Sequence, residues 1–171
     1  MDENLIRSKY VIKNGKCKFN KKSSNVSWGF RCKFIFADGY GLKIYKNKEI
    51  AVGYYETQCD LSKIHCAPLV LSELKKLSLT ESINVWYYKT ELADKLVSDV
   101  MTKNECKEVK QRPNFSWHDL KKYSKEYKEL ESKIYSYLGR TLRDTRNVNF
   151  GYINRKMIVI DMGCVRKKED E

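Results

Sequence analysis

An Asp38-Gly39 pair separates two runs of β-forming residues, 26–36 (VSWGFRCKFIF) and 42–46 (LKIYK). Aromatic and β-branched side chains suit a pleated, half-buried surface, and Asp-Gly supplies the positive φ that a tight hairpin needs. The pattern predicts a hairpin with its turn at 37–41. From Asn47 to about Ile64 the periodicity changes: Ile50, Tyr54, Gln58 and Leu61 recur every three or four residues, which predicts a helix. Asn47 is a suitable N-cap, while Gly53 inside the helix costs about 1 kcal/mol in propensity. Pro68 ends that unit, and 68–74 (PLVLSEL) and 83–92 (INVWYYKTEL) read as two further strands. The first half is thus β-β-α-β-β, preceded by a lysine- and asparagine-rich stretch over 1–22 that reads as an arm or an irregular first strand.

Beyond Ala93 the pattern turns helical. A short helix is expected at ADKLVSDVMT, a loop around Pro113, and a long helix from about Trp117 to Leu138. In the long helix Leu120, Tyr123, Tyr127, Leu130, Ile134 and Leu138 mark one face. Ser116 with Asp119 resembles a capping box, and Gly139 suits the C-terminal cap. A loop at 143–149 and a second hairpin follow: FGYI, a turn at Asn154-Arg155, then KMIVID, with a charged tail at 166–171.

Hydrophobic residues make up 42% of the 171 and charged residues 33%, the balance of a globular chain. No run approaches the roughly 18 apolar residues of a membrane span. The start MDENLIRSKY has no apolar signal region, so a cytoplasmic location is expected, in the host cytoplasm if the source is viral. There the six cysteines stay reduced, and their spacing does not match zinc-binding pairs. The net charge of +12 favours polyanionic partners, whether nucleotides, nucleic acid or acidic proteins, without choosing among them.

Chemistry concentrates in three places: Asp144-Thr-Arg-Asn-Val-Asn149 on a loop, Asp161-Met-Gly163 after an apolar strand, and Lys43 within the first hairpin. Phosphoryl transfer needs a cation for the nucleotide phosphates, oxygen ligands for a metal, and a carboxylate near the acceptor hydroxyl. Magnesium takes carboxylate and amide oxygens and keeps several waters. A charge ending the apolar run MIVI is also costly unless paired, which marks Asp161.

The segment 144–163 resembles the catalytic loop and metal motif of the protein-kinase-like superfamily, D-x-x-x-x-N, a hairpin, then D-x-G. The form in small-molecule kinases and in bacteriophage and bacterial kinase-like proteins is the most similar. GLKIYK is similar to the family's third strand with its phosphate-binding lysine. Glu56 stands where the lysine's glutamate partner is placed, with Glu49 as its competitor. CAPLVLSEL resembles the strand after that helix, and YYKTELAD the fifth strand and hinge, where Glu91 and Ala93 offer backbone groups to an adenine. Ser23, Ser24 and Asn25 stand where the family has a glycine-rich phosphate loop. Met162 replaces the usual aromatic, and the segment after Gly163 is too short for the family's peptide-binding helices.

The resemblance implies an α+β, bilobal kinase-like fold in a single domain. An N-lobe of about 23–92, an antiparallel sheet with one helix, precedes a reduced, mostly helical C-lobe of 93–165. It implies a minimal kinase with ATP and Mg²⁺ as cofactors, acting on a protein or small-molecule hydroxyl, with a host protein as substrate or target. Lys43 then holds phosphates, Glu56 orients Lys43, Asp144 receives the hydroxyl proton, and Asn149 and Asp161 bind the metal. Two alternatives stay open. One is a pseudokinase-type protein that binds a host protein or nucleic acid through its basic surface. The other is an α+β nucleic-acid module in which these motifs are accidental.

Overall fold

The computed structural model describes residues 1–14, 16–29, 31–99 and 124–167. Its contacts divide the chain into two compact units, Met1–Glu56 with Leu69–Leu92, and Thr57–Pro68 with Ala93–Glu171.

The first unit is built on a five-stranded antiparallel sheet: β3 (Val26–Trp28), β4 (Cys32–Ala37), β5 (Tyr40–Tyr45), β7 (Asn84–Thr90) and β6 (Lys75–Ser78), in that spatial order. Gly39, at φ 78°, makes the turn from β4 to β5 where Asp-Gly predicts it. The expected continuous strand over 26–36 is two strands. The Gly29 amide donates to the Cys32 carbonyl at 2.8 Å, and Val26 pairs with Ile35. Glycine interrupts an otherwise uniform β run, and a turn is what the interruption becomes. The strand expected at 68–74 is likewise displaced. Only Val70 there makes a β-bridge, to Thr90, and the Ser72 hydroxyl accepts from the Lys89 amide at 2.9 Å in place of a backbone carbonyl. The regular strand comes later, as β6.

Both faces of this sheet are covered. On one, α1 (Asp2–Ser8) and the hairpin β1 (Tyr10–Lys13)–β2 (Lys16–Phe19) pack Ile6, Tyr10, Cys17 and Phe19 against Ile35, Leu42, Ile44, Val85 and Tyr87. The segment 1–22, expected to be an arm or an irregular first strand, therefore holds a helix and a hairpin that close a core. On the other face the first half of α2 (Lys48–Lys63) sets Ala51, Tyr54 and Tyr55 beside Tyr45, Tyr88 and Trp86. Asn47 caps this helix through its side chain, which accepts from the Ile50 amide at 2.9 Å.

In the second unit, α3 (Lys125–Leu138) buries Tyr127, Leu130 and Ile134, one stripe at helical spacing. Its N-cap is Ser124, which accepts from the Tyr127 amide, and Gly139 closes it in the left-handed conformation. The expected start at Trp117, the Ser116–Asp119 cap and the loop around Pro113 lie outside the described residues. β9 (Arg140–Leu142) pairs with β12 (Val165–Lys167), so residues 165–167 form a strand within the expected tail region. β10 (Phe150–Ile153) and β11 (Lys156–Val159) form a hairpin, and β8 (Lys95–Leu96) joins its edge. Asn154 and Arg155 both have positive φ, 50° and 64°, the signature of a type I′ turn. Instead of the expected short helix, 95–99 is β8 followed by one 3₁₀ turn. The mostly helical character expected for 93–165 does not hold among the described residues, where strands and 3₁₀ turns share the unit with α3.

Residues 57–68 tie into this second unit through Arg140 Nη1 donating to Thr57 Oγ1 at 2.8 Å and the Val159 amide donating to the Cys66 carbonyl at 2.8 Å. No helix among the described residues is long and apolar enough to cross a membrane.

Candidate functional site

The β9–β12 pair holds the two ends of a segment whose interior carries Asp144, Asn149 and Asp161. Just inside that pair the Arg143 amide donates to the Cys164 carbonyl at 2.7 Å. Asp144 takes φ 55°, a conformation costly for most residues but tolerated by Asp, and this turns the chain out of β9. Asn149 is the organising residue. It is only 4% exposed, and its Nδ2 donates to the Asp144 carbonyl at 2.7 Å. Its own carbonyl accepts from the Ile160 amide at 2.8 Å and the Asp161 amide at 3.3 Å. One buried amide residue therefore braces the Asp144 loop through its side chain and the chain entering Asp161 through its backbone. The hairpin β10–β11 explains the spacing, since it leaves at Asn149 and returns at Ile160.

Asp161 differs from expectation in one respect. Burial stops at Val159, and Asp161 is exposed rather than trapped as a buried charge. Its Oδ1 accepts from the Gly163 amide at 2.9 Å and caps the 3₁₀ turn Met162–Cys164. Asp144 is also exposed, and Arg146 forks onto both of its carboxylate oxygens. Those hydrogen bonds hold the Asp144 carboxyl below its ordinary value, outweighing the opposing effect of partial burial. The sequence places Arg146 beside the acid but does not reveal this pairing, which depends on the left-handed turn at Asp144.

A cavity of about 450 Å³ opens beside Asp144, lined by Tyr127, Lys128 and Glu131 of α3 and by residues 142–145. That volume falls within the range of small-molecule pockets. Periodicity marks Tyr127 as an apolar-face residue of α3; no sequence signal places α3 beside the Asp144 loop.

In the first unit, Lys43 is 4% exposed on β5, directly opposite Phe34 on β4 and Tyr88 on β7. It shares the α2-covered face with Tyr45, as alternation predicts. Glu56 does not point to that face. It is exposed on α2, as is Glu49, whereas Ala51, Tyr54, Tyr55 and Gln58 form the inner stripe. At about 100° per residue, position 56 lies on the far side of the helix from 51 and 58. The glutamate expected to orient Lys43 is thus turned outward. Tyr55 is on the inner stripe instead, edge-on to Tyr88 with ring centroids 5.2 Å apart.

Ser23 and Ser24 occupy a turn held by Lys9, whose Nζ donates to Ser23 Oγ at 2.7 Å and to the Ser24 carbonyl at 3.3 Å. Lys9 follows α1, within a stretch expected to be an arm or an irregular first strand, so this anchor was not visible in the sequence. At the end of β7, the Glu91 amide donates to the Leu69 carbonyl at 2.9 Å, and Glu91 Oε2 accepts from the Leu69 amide at 3.0 Å. The backbone donor expected to meet an adenine is thus engaged by the 69–71 segment. Ala93 belongs to the second unit, where a Cβ added at Gly151 would come within 3.0 Å of the Ala93 Cβ.

Among the described residues no group of three or more His, Cys, Asp or Glu side chains is placed to hold a metal ion. The pair expected to bind the metal, Asn149 and Asp161, offers one amide and one carboxylate. Such a set fits Mg²⁺ only where phosphate oxygens and waters complete an octahedron. No family model and no curated protein matches this sequence.

Proposed function

We infer that the protein is a minimal ATP-dependent kinase that transfers a phosphoryl group to a hydroxyl. The observation that carries the reading is the bracing of both the Asp144 loop and the Asp161 turn by Asn149. The two aspartates are thereby tied, each through its backbone, to one buried residue. In this reading Asn149 and Asp161 hold Mg²⁺, which neutralises the nucleotide phosphates. Asp144 accepts the acceptor's proton as the acceptor's oxygen bonds to the γ-phosphorus and the bond to ADP breaks. The cavity beside Asp144 is of a size for a small acceptor or one side chain of a larger one.

The test is incubation with γ-labelled ATP and Mg²⁺, alone and with cell lysate, comparing wild type with Asp161→Ala. Label transfer that disappears in the variant supports the kinase. ATP-dependent thermal stabilisation without transfer by wild type refutes it in favour of a binding protein.

One observation favours that second reading of a catalytically inactive binding protein. A carboxylate held below its ordinary pKa by a forked arginine is a weak proton acceptor, and Arg146 must release Asp144 before it can act as a base. In the binding-protein reading the Arg146 fork persists, and the +12 charge engages an acidic host protein or nucleic acid.

A further inference from the structure

We propose that the rim of the five-stranded sheet around Trp28, Lys21, Lys33 and Lys46 binds single-stranded nucleic acid. The indole of Trp28 stacks on an unpaired base, and the lysines meet the phosphates beside it. The surface belongs wholly to the first unit and lies on the sheet face opposite that of Lys43, so it stands apart from the phosphoryl-transfer reading.

Charge is segregated in the sequence before the fold gathers it. Between Glu3 and Asp38 the chain holds nine lysines and arginines and no acidic residue, against a net +12 for the whole. Trp28 lies directly opposite Lys33 in the β3–β4 pair, and Lys33 opposite Ile44 in the β4–β5 pair. All three therefore face the side that α1 and the β1–β2 hairpin cover. The cover stops short of Trp28, which is 47% exposed. Lys21 reaches it from the turn after β2, with Nζ 5.6 Å from the centroid of the ring. Lys9 fixes that turn through Ser23 and Ser24, so the stem of Lys21 starts from a held position.

Lys33 Nζ donates to the Gly29 carbonyl at 2.7 Å. Partial burial, and then the Lys21 and Lys46 ammonium groups, hold Lys33 below its ordinary pKa. None of these three lysines forms an ion pair among the described residues. Like charges gathered without a carboxylate repel one another, and a polyanion relieves that repulsion.

The indole selects among polyanions. Acidic peptides and lipid headgroups satisfy lysines but leave the flat ring without a counterpart, whereas every base has a π-face. A cation–π contact at an exposed site is weaker than base–aromatic stacking. A base therefore displaces Lys21 from the ring, and the lysine follows the adjacent phosphate on its flexible stem. A duplex keeps its bases stacked on one another and must first unstack one to use this ring.

Calorimetric titration with an unstructured single strand of about twelve nucleotides, the matching duplex and inorganic polyphosphate tests the proposal. The proteins are wild type, Trp28→Ala, Trp28→Phe and the double variant Lys21→Gln with Lys33→Gln. Wild type is expected to bind the single strand more tightly than the duplex. Trp28→Ala should weaken the single strand by about tenfold and leave polyphosphate unchanged, with most of the loss recovered in Trp28→Phe. The lysine variant should weaken both ligands and flatten the log–log salt dependence for the strand by about 0.7 per lysine. Unchanged strand affinity in Trp28→Ala, an unchanged salt slope in the lysine variant, or a duplex bound as tightly as the single strand overturns the proposal. So does the absence of strand binding by wild type at about 50 mM salt, and Trp28-dependent binding to phosphatidylserine vesicles in that case assigns the surface to a membrane instead. Because no titration contains ATP, each result bears on this surface and leaves the kinase reading to its own test.

Discussion

Replacing Asn149 with Asp separates holding a metal from holding the loop. A carboxylate is at least as good an oxygen ligand for Mg²⁺ as an amide, so a residue that served only as ligand would tolerate Asn149→Asp. The structure indicates otherwise. Asn149 Nδ2 donates to the Asp144 carbonyl at 2.7 Å from a position 4% exposed, and an ionised carboxylate there has no proton to give. The substitution loses a buried hydrogen bond and sets a charge against a carbonyl oxygen, at a cost of about 3 kcal/mol at pH 7. For a chain of this size that lowers the melting midpoint by about 6–12 °C. Burial and the facing carbonyl both oppose ionisation, so the introduced carboxyl titrates above its ordinary value. The destabilisation is therefore largest above that pKa and shrinks as pH falls through it, because the protonated group can donate again. Thermal melts at pH 7 and pH 4.5 measure the effect. Hydrogen exchange of the Ile160 and Asp161 amides, both bonded to the Asn149 carbonyl, localises it. A variant whose midpoint at pH 7 lies within about 2 °C of wild type would refute the bracing role on that scale.

Two further tests concern the first unit. Gly41→Ala should destabilise by about 1–3 kcal/mol through overpacking against Phe34, and a Phe34→Leu background should relieve most of that cost. Gly53→Ala should instead stabilise by about 1 kcal/mol, since Gly53 is exposed on α2 with open space around it; equal effects in urea denaturation would defeat the packing argument. At Asp2, burial pushes the carboxyl up, but hydrogen bonds from Lys89 and Tyr40 and the Lys89 charge outweigh it and hold the group below 3.8. Its contribution is thus present above the ordinary carboxylate value and lost as pH falls through the depressed one. Exchange rates of the α1 amides should rise in that window, and Lys89→Met should move the rise to higher pH.

The hairpin at Asp38-Gly39, α2 with its Asn47 cap, and the hairpin at 150–159 were legible because each is specified by neighbours in sequence: a turn pair, a cap, an alternation. The first twenty residues were not. Their buried side chains, Ile6, Tyr10, Cys17 and Phe19, are divided among three elements too short to establish a period. At the site, residue types and spacing selected Asp144, Asn149 and Asp161, but spacing alone did not say that Asn149 is the buried brace and Asp161 the exposed cap. Glu56 shows the opposite failure. Its position in chain order suits a lysine partner, and the rotation of the helix removes it. Which face a helix presents is decided by the sheet it packs on, information that lies outside the helix's own sequence.

Because β9 and β12 tie together the ends of a stretch of roughly thirty residues, the entropy of closing that ring is small and its formation needs few distant partners. The carboxylates inside it inherit their spacing from short-range pairing. Insertions or losses elsewhere in the chain should thus leave that spacing intact, whereas a single residue added between Leu142 and Val165 would shift it.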